Sequence, residues 1–164
     1  MMDVVIRKAE EKDREAFLYF VQELSKFNRS NHPEEAAYDD YESVLAAITK
    51  KAAETFDQRD QRVHILLAFL NGQAVGYALG RIFDEDETAD NGTGKMGLFD
   101  ELFVLNEARG HGVGKRLIDS LIDWFKNEEI HRIKLHAYSW NHNAKKLYER
   151  LGFKEYAVSY EKFI

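Results

Sequence analysis

The chain has 164 residues, with 23 Lys plus Arg against 29 Asp plus Glu and a formal charge of -6. That length suits one domain (1–164) and falls short of two ordinary ones, while 45% hydrophobic and 32% charged residues argue against disorder. Cysteine is absent, which excludes disulfides, thiolate nucleophiles and cysteine-held metal centres, and the negative balance argues against a nucleic-acid partner.

The opening MMDVVIRKAEEKDRE lacks the apolar stretch of a secretory signal, so a cytoplasmic location is expected. Asp3–Lys8 is short and β-branched and predicts a first strand. Over Glu11–Phe27, Phe17, Phe20, Val21, Leu24 and Phe27 recur at helical spacing. Asn28–Tyr38, with Asn, Ser, His and Pro, reads as a loop. A second helix follows, with Tyr41, Val44, Leu45, Ile48 and Ala52 on one face. Arg62–Leu70 predicts a strand containing the longest apolar run, Ile65–Leu70, far below the roughly 20 residues that span a bilayer, so no membrane partner is expected. Asn71-Gly72 is a tight-turn signal, and Ala74–Phe83 returns as the partner strand.

Asp84–Lys95 is charged and glycine-bearing and reads as an exposed, mobile loop. Met96–Leu105 predicts a strand. A helix starts after Gly112, with Val113, Leu117, Leu121 and Phe125 at intervals of four. Ile133–Tyr138 predicts a strand, and Asn143–Leu151 a short helix closed by Gly152. Phe153–Phe163 alternates as a final strand would. The expected order is β-α-α-β-β-β-α-β-α-β, an α/β fold with a mixed sheet and helices on both faces.

The stretch Arg109-Gly110-His111-Gly112-Val113-Gly114-Lys115, between a strand and a helix, is the most informative. Alternate glycines allow close backbone approach, and the helix N-terminus adds free amides and the positive end of its dipole. Together these make a diphosphate cradle. A Walker A loop fails because Arg109 stands where its first glycine belongs and Arg116 follows Lys115. The dinucleotide GxGxxG fingerprint fails by one residue.

Arg109-x-x-Gly112-x-Gly114, directly after Asp100-Glu101-Leu102-Phe103-Val104, resembles the acetyl-CoA signature of the GNAT acyltransferase superfamily. Asn141-x-x-Ala144-x-x-Leu147-Tyr148-x-x-x-Gly152-Phe153 resembles its second motif, about 30 residues further on. The resemblance covers nearly the whole chain and is weakest over Asn28–Asp60. It implies a GNAT fold and transfer of an acetyl group from acetyl-CoA, the co-substrate, to a primary amine. It also implies main-chain contacts from Leu102, Phe103 and Val104 to the pantetheine arm, at a bulged and splayed fourth strand. Phosphate contacts fall to Arg109, Gly110, His111, Gly112, Val113, Gly114 and Lys115.

The chemistry makes three demands. The thioester oxygen needs a donor as it becomes anionic. The amine, an ammonium near pH 7 if its pKa is about 10.4, must lose a proton. The thiolate gains from receiving one. Asp100 and Glu101 are adjacent acids in an apolar strand, where successive residues face opposite sides unless a bulge intervenes. Either is a candidate base, with Asp100 at the place that the resemblance gives to the acid nearest the chemistry in the diamine-acetylating branch. The Tyr148 phenol stays protonated at neutral pH, and the resemblance sets it near the CoA sulfur as general acid; its apolar neighbours also fit plain packing. Asn141 fits a helix cap and a pantetheine contact.

Histidine spacing shows no metal motif, so no metal is expected. Carboxylates in Asn28–Tyr41 (Asp39, Asp40) and in Asp84–Asp90 favour a small cationic amine or polyamine. A non-catalytic acyl-CoA-binding module, a nucleotide-binding protein and a protein lysine or N-terminal acetyltransferase are the alternatives. Family members often form homodimers, and an exposed last strand would offer such a contact.

Overall fold

Ile65 and Leu67 face one way from the second strand, and Leu66 and Ala68 face the other. All four are buried, so this strand is covered on both sides, which is why its sequence is continuously apolar. A computed structural model of the chain describes residues 3–85 and 94–164. The strands are β1 (Val4–Lys8), β2 (Val63–Leu70), β3 (Gln73–Glu85), β4 (Gly94–Val104) and β5 (Ile133–Leu135). The helices are α1 (Arg14–Ser30), α2 (Tyr41–Asp57), α3 (Val113–Asn127) and α4 (His142–Arg150).

The sheet runs β1-β2-β3-β4-β5, antiparallel through β4 and parallel between β4 and β5. Asn71 and Gly72 both take positive φ, 50° and 81°, the turn expected between β2 and β3. On one face, Phe17, Phe20 and Val21 of α1 and Ala52 and Phe56 of α2 pack on Ile65, Leu67, Tyr77, Leu79 and Phe103. On the other, Val113, Leu117, Ile118, Leu121 and Phe125 of α3 pack on Leu66, Ala68, Ala78, Ile82 and Phe99, with Leu147, Tyr148 and Leu151 added beside α4. The four-residue apolar spacing of α3 thus builds one complete layer.

Four expectations are corrected. Asn28–Ser30 continue α1, and Pro33–Ala37 form a 3-10 turn, within the stretch read as loop. The strand read over Ile133–Tyr138 stops at Leu135. Phe153–Phe163 is not a strand, and the order therefore ends on α4. Gly152 turns the chain away at φ 90°, after which side chains rather than a ladder hold the tail. Tyr156 lies under Arg132 and Lys134, Glu161 pairs with His32 at 2.8 Å, and Phe163 stacks on Tyr38 with ring centres 4.3 Å apart. The loop read over Asp84–Lys95 narrows, since Asp84, Glu85, Gly94 and Lys95 belong to β3 and β4, and its centre lies outside the described residues.

His64 of β2 stands opposite Gly80 of β3, and a Cβ at Gly80 would come within 2.7 Å of Leu121 and 3.2 Å of Trp124. The room left by Gly80 admits the Trp124 ring, which stacks on His64 at 4.7 Å. Desolvation there, helped by Lys8, lowers the His64 pKa to about 4. The folded value lies below the unfolded one, so this contribution is intact above the ordinary histidine range and is lost as pH falls toward 4. The melting temperature is expected to fall between about pH 7 and about pH 4.5, and His64→Phe to flatten that fall. Melting curves at both pH values check this.

Candidate active site

β4 and β5 touch through only three register pairs: Gly97 with Ile133, Leu98 with Lys134 and Phe99 with Leu135. Beyond Phe99 the two chains part. At the same place the register of β3 and β4 shifts, because Leu79 faces Glu101 and Gly80 faces Phe99, so Asp100 is an extra residue in β4. A bulge of this kind leaves ladder groups unpaired and re-aims side chains. Its consequence is direct: Asp100 and Glu101, which strict alternation would set on opposite faces, both line one cleft of about 1030 Å³.

The amides along the open edge follow from the ladder. The Leu105 amide donates to the Val75 carbonyl at 2.8 Å, so the odd-numbered residues of this stretch turn their main chain toward β3. The amides of Leu102 and Val104 therefore face the gap beside β5, whereas Phe103 is buried among aromatic rings. The Val104 carbonyl faces the same gap and accepts from Arg109 Nε at 2.9 Å.

The two acids have different environments. Asp100 accepts from Arg81 Nε at 2.5 Å, and Arg81 also reaches Thr55 of α2. Glu101 accepts from the fully buried Tyr77 hydroxyl at 2.5 Å. Burial raises the Glu101 pKa against the lowering effect of the Tyr77 hydrogen bond; Asp100 adds to the rise, and Arg81 and Lys51 reduce it. The Tyr77 phenol itself is pushed far up by burial and by Glu101, so it remains a donor.

Tyr148 of α4 reaches the cleft, its ring edge-on to Phe153 at 6.0 Å, and burial raises its pKa as well. Among the described residues its hydroxyl makes no hydrogen bond. Asn141 lines the cleft while its Oδ1 accepts from the Ala144 amide at 3.2 Å, which caps α4.

The glycine-bearing turn follows β4 through a 3-10 turn, Asn106–Ala108. Gly110 and Gly112 take φ of 80° and 76°, in the left-handed region, and nothing among the described residues lies within 4 Å of a Cβ built on either. Gly112 is the N-cap of α3, and among the described residues no side chain caps that end. The amides of Val113, Gly114 and Lys115 precede the first intrahelical bond, from Arg116 to Gly112, and are left for a ligand or water. A Cβ on Gly114 would sit 4.0 Å from Leu147, so the first turn of α3 adjoins α4. His111 is exposed. The basic side chains of this turn point elsewhere: Lys115 pairs with Asp119 at 2.6 Å, and Arg109 lies over Phe27 and Phe103. Any grip on phosphate here is main-chain first.

Arg81, Thr55 and Lys51 line the cleft, Tyr77 stands buried behind Glu101, and all four went unread in the sequence. Tyr77 and Arg81 become visible only once the β3–β4 register and its bulge are known. Thr55 and Lys51 extend the stripe Val44, Ile48, Ala52 along the cleft face of α2, a periodicity that sequence inspection can follow. The expected acceptor loop does line the cleft, with Arg29, Glu35, Asp39 and Tyr41. Among the described residues no group of three His, Asp or Glu gathers as a metal site.

In the Tyr77→Phe variant the Glu101 carboxyl loses the hydrogen bond that lowers its pKa while keeping the burial that raises it. Its titration is expected to move to higher pH, read by carbon NMR of labelled glutamate. An unmoved titration would sink that account.

Solved structures repeat this architecture end to end. A predicted acetyltransferase from Clostridium acetobutylicum, solved with acetyl-CoA, is 20% identical with a TM-score of 0.70, covering 99% of this chain and 96% of its own. The ribosomal-protein-alanine N-acetyltransferase of Brucella melitensis biovar Abortus 2308 is 22% identical with a TM-score of 0.68, covering 98% and 99%. The aminoglycoside N-acetyltransferase AAC(6')-Iy, solved with a CoA-acetylneamine bisubstrate analogue, is 21% identical with a TM-score of 0.67, covering 99% of both chains. At such identities these likenesses carry the fold. The sequence itself matches the Acetyltransferase (GNAT) family over residues 7–153, and the chain belongs to that family.

Proposed function

We propose that this chain is an acetyl-CoA-dependent N-acetyltransferase that acts on a primary amine of a small molecule. The observation that carries the reading is the split between β4 and β5: it opens the edge that bears the outward amides of Leu102 and Val104, and Leu102 shares its cleft with the carboxylate of Glu101. The fit to the coenzyme is physical. Uncapped amides at the start of α3 suit a diphosphate, and open main-chain edges of β4 suit the amide-bearing pantetheine arm. The acetyl-CoA or CoA analogue in two of the structural relatives supports the same placement.

Glu101 is the base in this reading. Its raised pKa makes it a better proton acceptor than an ordinary carboxylate, while Arg81 engages Asp100 as its charge partner. The resemblance sets Asp100 nearest the chemistry, and its pairing with Arg81 moves the choice to Glu101. Glu101 takes one proton from the ammonium, and the freed amine bonds to the thioester carbonyl carbon. One of the outward amides, of Leu102 or Val104, donates to the carbonyl oxygen as negative charge develops there, and the other, a strand repeat away, is left for the pantetheine arm. As the carbon–sulfur bond breaks, Tyr148, whose hydroxyl has no other partner among the described residues, gives its proton to the departing thiolate; the nitrogen's surplus proton then restores the phenol, leaving a neutral amide, the CoA thiol and a protonated Glu101 that releases its proton to solvent.

The expected preference for polyamines finds less support. Asp39 is held by Arg29 at 2.5 Å, and Asp84 by Arg62 at 2.9 Å. Most of the acidic stretch 84–90 lies outside the described residues. A primary amine remains; a multiply charged one is not favoured. Nor does the last strand that was to supply a dimer contact exist among the described residues.

Tyr148→Phe should lower kcat by roughly 10- to 1000-fold and leave CoA affinity, measured by calorimetry, near that of the parent. Glu101→Gln should lower kcat/KM by about 100-fold or more and remove the limb over which activity rises with pH as Glu101 loses its proton. Unchanged turnover in either variant would remove that residue from the mechanism, and an absence of CoA binding by the parent would remove the whole reading.

A further inference from the structure

Three cationic side chains, Arg29, Lys51 and Arg81, and four carboxylates, Glu35, Asp39, Asp100 and Glu101, line the cleft. Most are matched within the wall. Arg29 meets Asp39 at 2.5 Å and Glu35 at 3.7 Å, and Arg81 meets Asp100 at 2.5 Å. Two charges are left. Among the described residues, Glu101 on β4 has only a neutral phenol as hydrogen-bond partner, and Lys51 on α2 has no carboxylate within 4 Å. They feel each other electrostatically without touching. Lys51 stands one helical turn before Thr55, whose hydroxyl meets Arg81, so the ammonium borders the pole of the cleft that holds the acids of β4.

We propose that Lys51 is a specificity-determining residue that binds a carboxylate on the acceptor, so that the preferred acceptor class is an aminocarboxylic acid. The acceptor amine lies toward Glu101 and its carboxylate toward Lys51. A zwitterion placed this way completes both unmatched charges, whereas a diamine leaves Lys51 facing a like charge and a neutral alkylamine leaves it without a counter-ion. The apolar side chains of Val44, Ile48 and Ala52 along the same stripe flank a short aliphatic stem between the two ends. This inference rests on the acetyl-transfer reading and refines its acceptor.

The test is a panel of short aminocarboxylic acids of increasing length, each beside its primary amide, the matching alkylamine and the matching diamine, assayed with acetyl-CoA by thiol release. The parent is expected to favour at least one aminocarboxylic acid over its amide by about tenfold or more in kcat/KM. Lys51→Met should collapse that ratio to within roughly threefold of unity, Lys51→Arg should keep it, and Lys51→Glu should turn it toward the diamine. The ratio is the readout because Lys51 also acts on Glu101, so absolute rates move for two reasons. A parent that acetylates amines with no such preference, or a preference that survives Lys51→Met, overturns the carboxylate site alone. A parent that binds CoA and acetylates none of the panel overturns the acetyl-transfer reading on small amines together with the site.

Discussion

The parting of β4 from β5 after Phe99 is the constraint on which the rest of the site depends. A sheet interior leaves no main-chain group for a ligand, since each is taken by its neighbour. Here three paired residues hold β5 in place, and the following stretch of β4 is bonded on one side only. The bulge at Asp100 and the split occur at the same position. One extra residue ends the regular pairing, bends the strand and brings two successive acids to the same cleft. The apolar faces survive the disturbance, because Phe99 packs against α3 on one side and Phe103 against α1 on the other.

The two acids show how neighbours a single bond apart in sequence acquire different chemistry. Asp100 has a guanidinium at hydrogen-bond distance and is a matched charge. Glu101 has a phenol, which lends a hydrogen bond but no charge, and burial raises its proton affinity. A cleft built from matched pairs has little field of its own to attract or repel an acceptor. What remains unmatched then carries the selectivity, and that remainder is Glu101 and Lys51.

Periodicity made the layers of the fold legible in the sequence. Val113, Leu117, Leu121 and Phe125 disclosed α3, and Asn71-Gly72 disclosed the β2–β3 hairpin; the glycine-bearing turn was visible because no ordinary helix start alternates glycine in that way. The partners of the site were hidden for a physical reason. Tyr77 reads as one more aromatic residue in an apolar strand, and only the register sets its hydroxyl against Glu101. Arg81 reads as a strand-end charge until the bulge carries Asp100 to it. Cross-strand chemistry depends on register, and a bulge moves register without leaving a mark in composition.

The C-terminal tail shows the opposite failure, a pattern present in the sequence and unused in the fold. Tyr156, Val158 and Tyr160 alternate as strand residues do, yet all three are exposed. Alternation specifies a strand only when one face has something to be buried against. Past Leu135 the neighbouring chain has left the sheet, so the tail meets no ladder there and is held by its side chains. Glu161 and Phe163 settle on His32 and Tyr38, at the 3-10 turn between α1 and α2, while Ser159 borders the cleft. Glu35 and Glu161 raise the His32 pKa, so protonated His32 is the form that this contact favours. The helices that supply Lys51 and Arg29 and the tail that follows Tyr148 are thereby joined across the cleft, and the split that exposes the β4 amides is also what leaves the tail free to make that connection.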